Sequence, residues 1–316
     1  MKKYTARDII EFGGFVIAGF FVRLLPFRVA QRLGRRLGQF LYTNLKIRRE
    51  VTYKNLKAAF PDKSIEELDE IALEAYCNLL ITYIELFWFP NLNRGAILHI
   101  IRVRNPEVME NAWRRKKGLI LLSGHFGSWE LMVFSTAVLF DIPFTIIAKE
   151  QRNPLVDKLI NKYRSLSGNR LVSMDKSVRQ VLTTLRDGGA VAMLADQSAP
   201  RERLYIDFFG RPAATYEGPA VFALRSGAPI VMFFLIRQKS GRYELVFEEL
   251  SVEDLDGQTD ENVIELTRRH VAVLERYIRE YPGQWLWLHK RWKHTDYARQ
   301  QSDQYEDSLA GKGHAT

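Results

Sequence analysis

The 316-residue chain predicts an α/β fold: a mostly parallel central sheet flanked by helices, preceded by an N-terminal membrane-associated helical region. Three observations carry that expectation. From Gly118 onward, apolar runs of strand length alternate with stretches of helical periodicity, the rhythm of a parallel sheet. Residues 27 to 115 read as helical. Ahead of them lies an uncharged apolar segment, Phe12 to Val22. The organisation expected is an anchor or interfacial helix over 1–26, an α/β domain with a helical N-terminal part over 27–298, and a polar tail over 299–316.

As a helix, Phe12 to Val22 covers only about 16 Å, against a hydrocarbon core of about 30 Å. Extending it from Ile9 to Leu25 approaches a span only if Glu11 and Arg23 snorkel. No small-residue cleavage site follows, which argues against a removed signal peptide. The segment reads as a membrane anchor or a helix lying in the interface, with a buried core helix as the competing reading. Downstream, Arg23, Arg28, Arg32, Arg35, Arg36, Lys46, Arg48, Arg49, Lys54 and Lys57 face only Glu50 in acidic opposition. Basic residues beside an apolar segment favour anionic lipid and the cytoplasmic side. The formal net charge of +9 also points to an anionic partner. The apolar neighbour argues for lipid over nucleic acid. The one cysteine, Cys77, excludes an internal disulfide and a cysteine metal cluster.

Within the helical part, Ser64-Ile-Glu-Glu67 is a capping box. It opens a helix through Ile71, Ala75, Leu79 and Ile84, which Pro90 and Asn91 end. The strand-like runs are 119–122, 144–148, 190–195, 230–236 and 243–247. Helical patterns follow or separate them at 128–140, 154–167, 176–187, 216–226 and 260–280. Strict alternation through 285–289 fits a final strand, with Trp285 and Trp287 either in the core or at a membrane.

Ligands of open α/β sheets bind beyond the carboxyl ends of the strands. After 119–122 come Ser123, Gly124, His125 and then Glu130; after 144–148 come Lys149, Glu150, Gln151 and Arg152; after 190–195 come Asp196 and Gln197. Parallel strands would bring these ionisable groups to one edge. His125 and Glu130 cannot share a helix face, but they can meet if His125 sits on a strand-to-helix turn and Glu130 in the first helical turns. A carboxylate near a histidine fixes its tautomer and suits it to act as a general base. A structural histidine at a strand end is the competing reading. Ser123 and Ser128 are candidate nucleophiles, but neither stands in G-x-S-x-G. No H-E-x-x-H occurs, and His289 and His294 are five apart, which argues against a metal site. What remains is a base without its own nucleophile, suited to deprotonating a substrate hydroxyl.

At these residues the chain resembles a known family. Gly124-His-Phe-Gly-Ser-Trp-Glu130, with its His-x4-Glu, is similar to the signature of glycerolipid-type acyltransferases and, more narrowly, of the late acyltransferases of bacterial lipid A biosynthesis. Three further blocks match in order: Asn153-Pro-Leu-Val-Asp157 with Tyr163-Arg164, Leu194-Ala-Asp-Gln197, and Gln284 to Trp292. The third departs from a pattern that often reads Asp-His, having Gln197 after Asp196.

The resemblance implies transfer of a fatty acyl group from a thioester to a hydroxyl of a lipid A precursor or related lipid at the cytoplasmic face of the inner membrane. It makes acyl carrier protein the expected donor rather than coenzyme A, with no cofactor beyond the thioester. His125 would be the base and Glu130 its support. Arg164 would bind a phosphate or steady the oxyanion, and Asp196 would position Arg164 or a sugar hydroxyl. Lys149, Arg152 and Gln197 join them as substrate-binding candidates. Two alternatives stay open: a lipid esterase or thioesterase on the same fold, and a non-catalytic membrane-binding scaffold.

Overall fold

The computed structural model describes residues 4–174 and 177–297. The expected polar tail lies outside the described residues. The N-terminal third is helical: α1 (Ala6–Leu24), α2 (Phe27–Phe40), α3 (Arg49–Ala59), α4 (Ile65–Leu86), α5 (Arg94–Ile100) and α6 (Pro106–Arg114). A three-residue strand, β1 (Ile101–Val103), interrupts what reads from sequence as continuous helix. The capping box forms: the Ser64 hydroxyl accepts from the Glu67 N–H, and the Glu67 carboxylate accepts from the Ser64 N–H. It starts a 22-residue helix whose inner face is buried along its length.

The alternating part follows as β2 (Leu119–Ser123), α7 (Trp129–Phe140), β3 (Phe144–Ala148), α8 (Pro154–Ser165), β4 (Arg170–Ser173), α9 (Ser177–Arg186) and β5 (Ala190–Leu194). A small hairpin, β6 (Tyr205–Asp207) and β7 (Pro212–Ala214), precedes α10 (Gly218–Ser226), β8 (Ile230–Arg237), β9 (Tyr243–Glu249) and α11 (Asp260–Glu280). The main sheet has the order β1-β9-β8-β2-β5-β3-β4. Every neighbouring pair in it is parallel except β8–β9. All five residues of β2 are buried, because helices cover both faces of the sheet. Alternate β2 residues serve the two cores: Leu119 and Leu121 pack with α7, while Ile120 and Leu122 pack with α9 to α11.

The alternation at 285–289 does not form a strand. Trp285 makes one isolated antiparallel bridge to Phe126, and the chain then turns. Both Trp285 and Trp287 are fully buried, so this block belongs to the core rather than to a membrane contact.

Two close approaches shape the helical layer. Gly34 and Gly38 of α2 lie against the backbone of Ile81 and Cys77 on α4, where a Cβ would collide. This lets α2 pack at backbone distance and leaves its other faces outward. Helix α1 lies along the body. Gly19 meets the Phe87 ring, the Trp88 indole N–H donates to the Val22 carbonyl, and Asn153 donates to the Asp8 carbonyl and the Glu11 carboxylate. Its outer face exposes Ile9, Ile10, Ile17, Phe20, Phe21 and Leu24, and α2 adds Val29, Leu37 and Phe40. Single exposed apolar residues are ordinary, but such a cluster on two adjoining helices is not. Among the described residues, no helix is long and apolar enough to cross a membrane.

Candidate active site

Strand register builds the centre of the site. Ser123 at the end of β2 lies opposite Leu194 at the end of β5, and the Ala195 N–H continues the ladder to the Ser123 carbonyl at 3.1 Å. His125 and Asp196 each stand two residues beyond those ends, so the parallel register brings them together. Asp196 Oδ1 lies 2.7 Å from His125 Nδ1. Its Oδ2 accepts from the His125 backbone N–H at 2.7 Å and from the Trp285 indole N–H at 2.8 Å. The carboxylate is therefore held at both oxygens, with its side chain only 2% exposed.

The electrostatics agree with that geometry. Burial alone would raise the Asp196 pKa, but the His125 charge and the hydrogen bonds to His125 and Trp285 overcome it and hold the group at about 2. Burial likewise would lower His125; the Asp196 charge and hydrogen bond, with a contribution from Glu130, raise it above its ordinary value. An ionised Asp196 offers no proton, so Nδ1 of neutral His125 carries one and Nε2 holds the free lone pair. The Gln197 amide nitrogen lies 3.4 Å from that Nε2.

The loop carrying His125 is pinned from behind. Gly127 has φ +56° and sits against the Leu235 carbonyl, a place that excludes a side chain. Its N–H donates to the Gln284 carbonyl at 2.8 Å, and its own carbonyl accepts from Asn78 at 2.9 Å and Thr82 at 3.2 Å. The Leu286 N–H donates to the His125 carbonyl at 3.1 Å. The C-terminal tryptophan block thus supplies both backbone pairing for the loop and the indole that steadies Asp196. Ser128 donates its hydroxyl to buried Glu85 at 2.6 Å, which turns it away from nucleophilic duty. Ser123 is itself buried behind the strand end.

Glu130 takes a different partner from the one its spacing suggests. It forms a two-pronged ion pair with Arg164, at 2.9 Å to Nε and 2.6 Å to Nη2, and Asn161 accepts from Nη1 at 3.3 Å. Asn153 caps the start of α8, accepting from the Leu155 and Val156 N–H groups, and so aims that helix and its Arg164 at the first turn of α7. The two roles expected of the carboxylates are exchanged: Asp196 touches the histidine, and Glu130 engages the arginine. A five-residue local spacing suggested the first pairing, while long-range strand register decided it.

A cavity of about 880 Å³ opens at His125. Glu130, Arg164, Gln197 and Lys149 line it, and Leu86, Phe89, Val133, Phe134, Ile146 and Ile160 give it an apolar wall. His289 lines it as well, accepting from the Ser198 N–H at 3.0 Å; burial lowers its pKa to about 4, keeping it neutral for that role. Arg152 lies elsewhere: its guanidinium grips Glu11 of α1 at 2.6 Å. Lys149 is at the mouth and exposed.

Comparison with known proteins matches the profile of bacterial lipid A biosynthesis acyltransferases to residues 5–294. The chain belongs to that family. Among its relatives, the lipid A biosynthesis lauroyltransferase of Escherichia coli (strain K12) is 27% identical over 85% of this chain and 87% of its own length. The palmitoleoyltransferase of the same organism is 26% identical over 85% and 86%. A phosphatidylinositol mannoside acyltransferase of Mycolicibacterium smegmatis is 23% identical over 66% and 67%. This member of the lipid A acyltransferase family is accordingly an acyltransferase, and the blocks that matched by sequence converge in it: 124–130, 164, 194–197 and 284–286 meet around one histidine.

Residues that sequence reasoning missed act from behind this histidine. Trp285 was weighed only as core or membrane contact; its indole holds Asp196. Glu85 carried a visible signal, a lone carboxylate in the apolar run Leu79 to Phe89. It anchors Ser128, Gln31, Tyr243 and Arg237 under the loop.

Proposed function

We propose that this chain transfers a fatty acyl group from acyl carrier protein to a hydroxyl of a lipid A precursor or related glycolipid, working at the cytoplasmic face of the bacterial inner membrane. The observation that carries the proposal is the His125–Asp196 pair at the mouth of a cavity with an apolar wall. Nε2 takes the proton of the acceptor hydroxyl as its oxygen attacks the thioester carbonyl. The carbon–oxygen bond forms, the carbon–sulfur bond breaks, and the imidazolium returns the proton to the departing thiolate. Asp196 fixes the tautomer and stabilises the imidazolium between these steps. Gln197, whose amide nitrogen lies 3.4 Å from Nε2, gives way to the acceptor hydroxyl. The acyl chain lies along Val133, Phe134 and Ile160. The reaction needs no cofactor beyond the thioester.

Arg164 and Glu130 form the cavity wall beside the reaction. The closed Arg164–Glu130 pair is neutral overall, so an acceptor phosphate or the developing oxyanion engages Arg164 by displacing Glu130 from part of its fork. Lys149 at the mouth suits an anionic headgroup or the acidic carrier. The outward apolar face of α1 and α2 lies in the lipid interface, with Arg152 clamping α1 flat against the body.

The test is product analysis. Purified protein receives labelled acyl–acyl carrier protein with a panel of glycolipids and phospholipids, and mass spectrometry reads the acceptor. One added ester on a lipid A precursor or related glycolipid is the expected product. Labelling confined to glycerophospholipids would refute the acceptor, and labelling from acyl coenzyme A alone would refute the donor.

A further inference from the structure

A second cavity, of about 410 Å³, shares no lining residue with the one at His125. It lies between α2, α4 and the turn joining β8 to β9. Asn78 and Gln284, which hold Gly127 on one side, form part of its wall. Five cations line it, Arg28, Arg32, Arg35, Arg237 and Lys239, against one carboxylate, Glu74. Arg35 grips Glu74 at 2.7 Å, and Arg237 faces Glu85 behind it at 3.3 Å. Arg28, Arg32 and Lys239 have no carboxylate within ion-pair distance among the described residues, though all three line the same cleft.

Collecting like charges in a concave site is unfavourable unless an anion joins them. Guanidinium groups and an ammonium lining one cleft suit the several oxygens of a phosphate. The sequence of α2 also says what the phosphate is attached to. Arg28, Arg32 and Arg35 occupy one stripe of the helix, the small residues Gly34 and Gly38 pack on α4, and Val29, Leu37 and Phe40 form a separate, exposed apolar stripe. A cationic cleft beside an apolar stripe fits an amphiphile, with its phosphate in the cleft and its chains along the stripe.

We propose that this cleft binds the phosphate headgroup of an anionic phospholipid, separately from the acyl-transfer site. The inference rests on the proposed placement of the α1–α2 surface at a membrane. It makes Arg28, Arg32 and Lys239 a defined lipid site rather than part of a diffuse positive field.

The experiment is vesicle flotation of the full chain with phosphatidylglycerol or phosphatidylcholine vesicles at physiological salt. Three proteins are compared: wild type, the cleft variant Arg28→Gln/Arg32→Gln/Lys239→Gln, and a charge-matched control, Lys116→Gln/Lys117→Gln/Arg186→Gln, at the opposite edge of the sheet. Each basic residue near an anionic surface contributes enough that the cleft variant should bind phosphatidylglycerol vesicles ~100-fold more weakly. The control should stay within about threefold of wild type, because charges far from the surface are screened. Equal weakening of both variants would overturn the proposal in favour of diffuse attraction, and no weakening of the cleft variant would overturn it outright. A melting temperature raised by inorganic phosphate in wild type and not in the cleft variant, with no preference for phosphatidylglycerol, would overturn the lipid assignment. All substituted residues are exposed, and matching unfolding midpoints in the absence of ligand verify the fold. His125→Ala, run in the same flotation and in the acyl-transfer assay, should bind vesicles as wild type does while losing transfer, so that failure of the acyl-transfer reading and failure of this one give different results.

Discussion

Asp196→Asn separates tautomer control from mere packing at His125. The substitution keeps the side-chain shape and removes the charge. Two N–H donors, the His125 backbone and the Trp285 indole, point at the same oxygen, Oδ2. They require the asparagine oxygen at that position, since an NH2 group there would face two donors. The NH2 must then sit 2.7 Å from His125 Nδ1, where the carboxylate oxygen now is. It donates to Nδ1, which moves the imidazole proton to Nε2 and abolishes the lone pair needed for the acceptor hydroxyl. A wrong-tautomer change of this kind costs ~10^4 in kcat. The loss should fall on kcat rather than KM, measured with acyl–acyl carrier protein at saturating acceptor. Stability changes less. Holding Asp196 at about 2 against an ordinary 3.8 corresponds to about 2 kcal/mol of coupling to its surroundings, shared with His125. Because His125 is raised, that coupling is fully present below its unfolded value near 6.5 and fades as pH rises through the raised folded value. The Asp196 side of the same pair is present above 3.8 and fades as pH falls toward 2. Chemical denaturation of wild type and Asp196→Asn should therefore differ most near pH 6 and less at alkaline pH, where the part coupled to the His125 charge is lost while the hydrogen bonds from the His125 backbone and the Trp285 indole to Asp196 remain. A variant retaining more than about a tenth of wild-type kcat would refute this reasoning, as would an NMR spectrum still showing the proton on Nδ1.

The same raised His125 sets the acid limb of the wild-type kcat profile above pH 6.5, and Glu130→Gln should move that limb downward by removing a charge that helps to raise it. Glu130→Gln should also destabilise the fold by about 3 kcal/mol, because it leaves the largely buried Arg164 unpaired; adding Arg164→Gln should recover much of the loss in urea melts. Val133→Trp fills the apolar wall of the cavity, so competition between labelled thioesters should shift toward shorter acyl chains; an unchanged preference would place the chain elsewhere. Gly127→Ala drives a Cβ into the Leu235 carbonyl at a positive φ and should lower both the melting temperature and kcat by displacing the His125 loop.

The strands and helices were legible from Gly118 onward because apolar runs of different period leave a strong local signal. Helices at 129–140, 154–165 and 260–280 lie within two residues of the expected bounds. β1 escaped notice because three residues, Ile101 to Val103, carry too short a pattern to show against helical neighbours. Strand order was not legible: pairing β2 with β5 and β8 is a long-range choice that local periodicity does not encode. The site divides along the same line. His125 at a strand end was visible, and so was Asp196 at another, but the register that joins them was not. Local spacing assigned Glu130 to the histidine, whereas Arg164, 34 residues away, takes that carboxylate. Arg152 read as a strand-end candidate for substrate binding; it is turned instead to Glu11, a partner 141 residues away in sequence.

The most direct test of the account is release of carrier thiol from acyl–acyl carrier protein, followed in one turnover with and without the glycolipid acceptor, for wild type and His125→Ala. Transfer through His125 predicts release that depends on acceptor and disappears in the variant. Release at the same rate without acceptor, yielding free fatty acid, would make the protein a hydrolase. Acceptor-dependent release that survived in His125→Ala would remove the histidine from the centre of the mechanism.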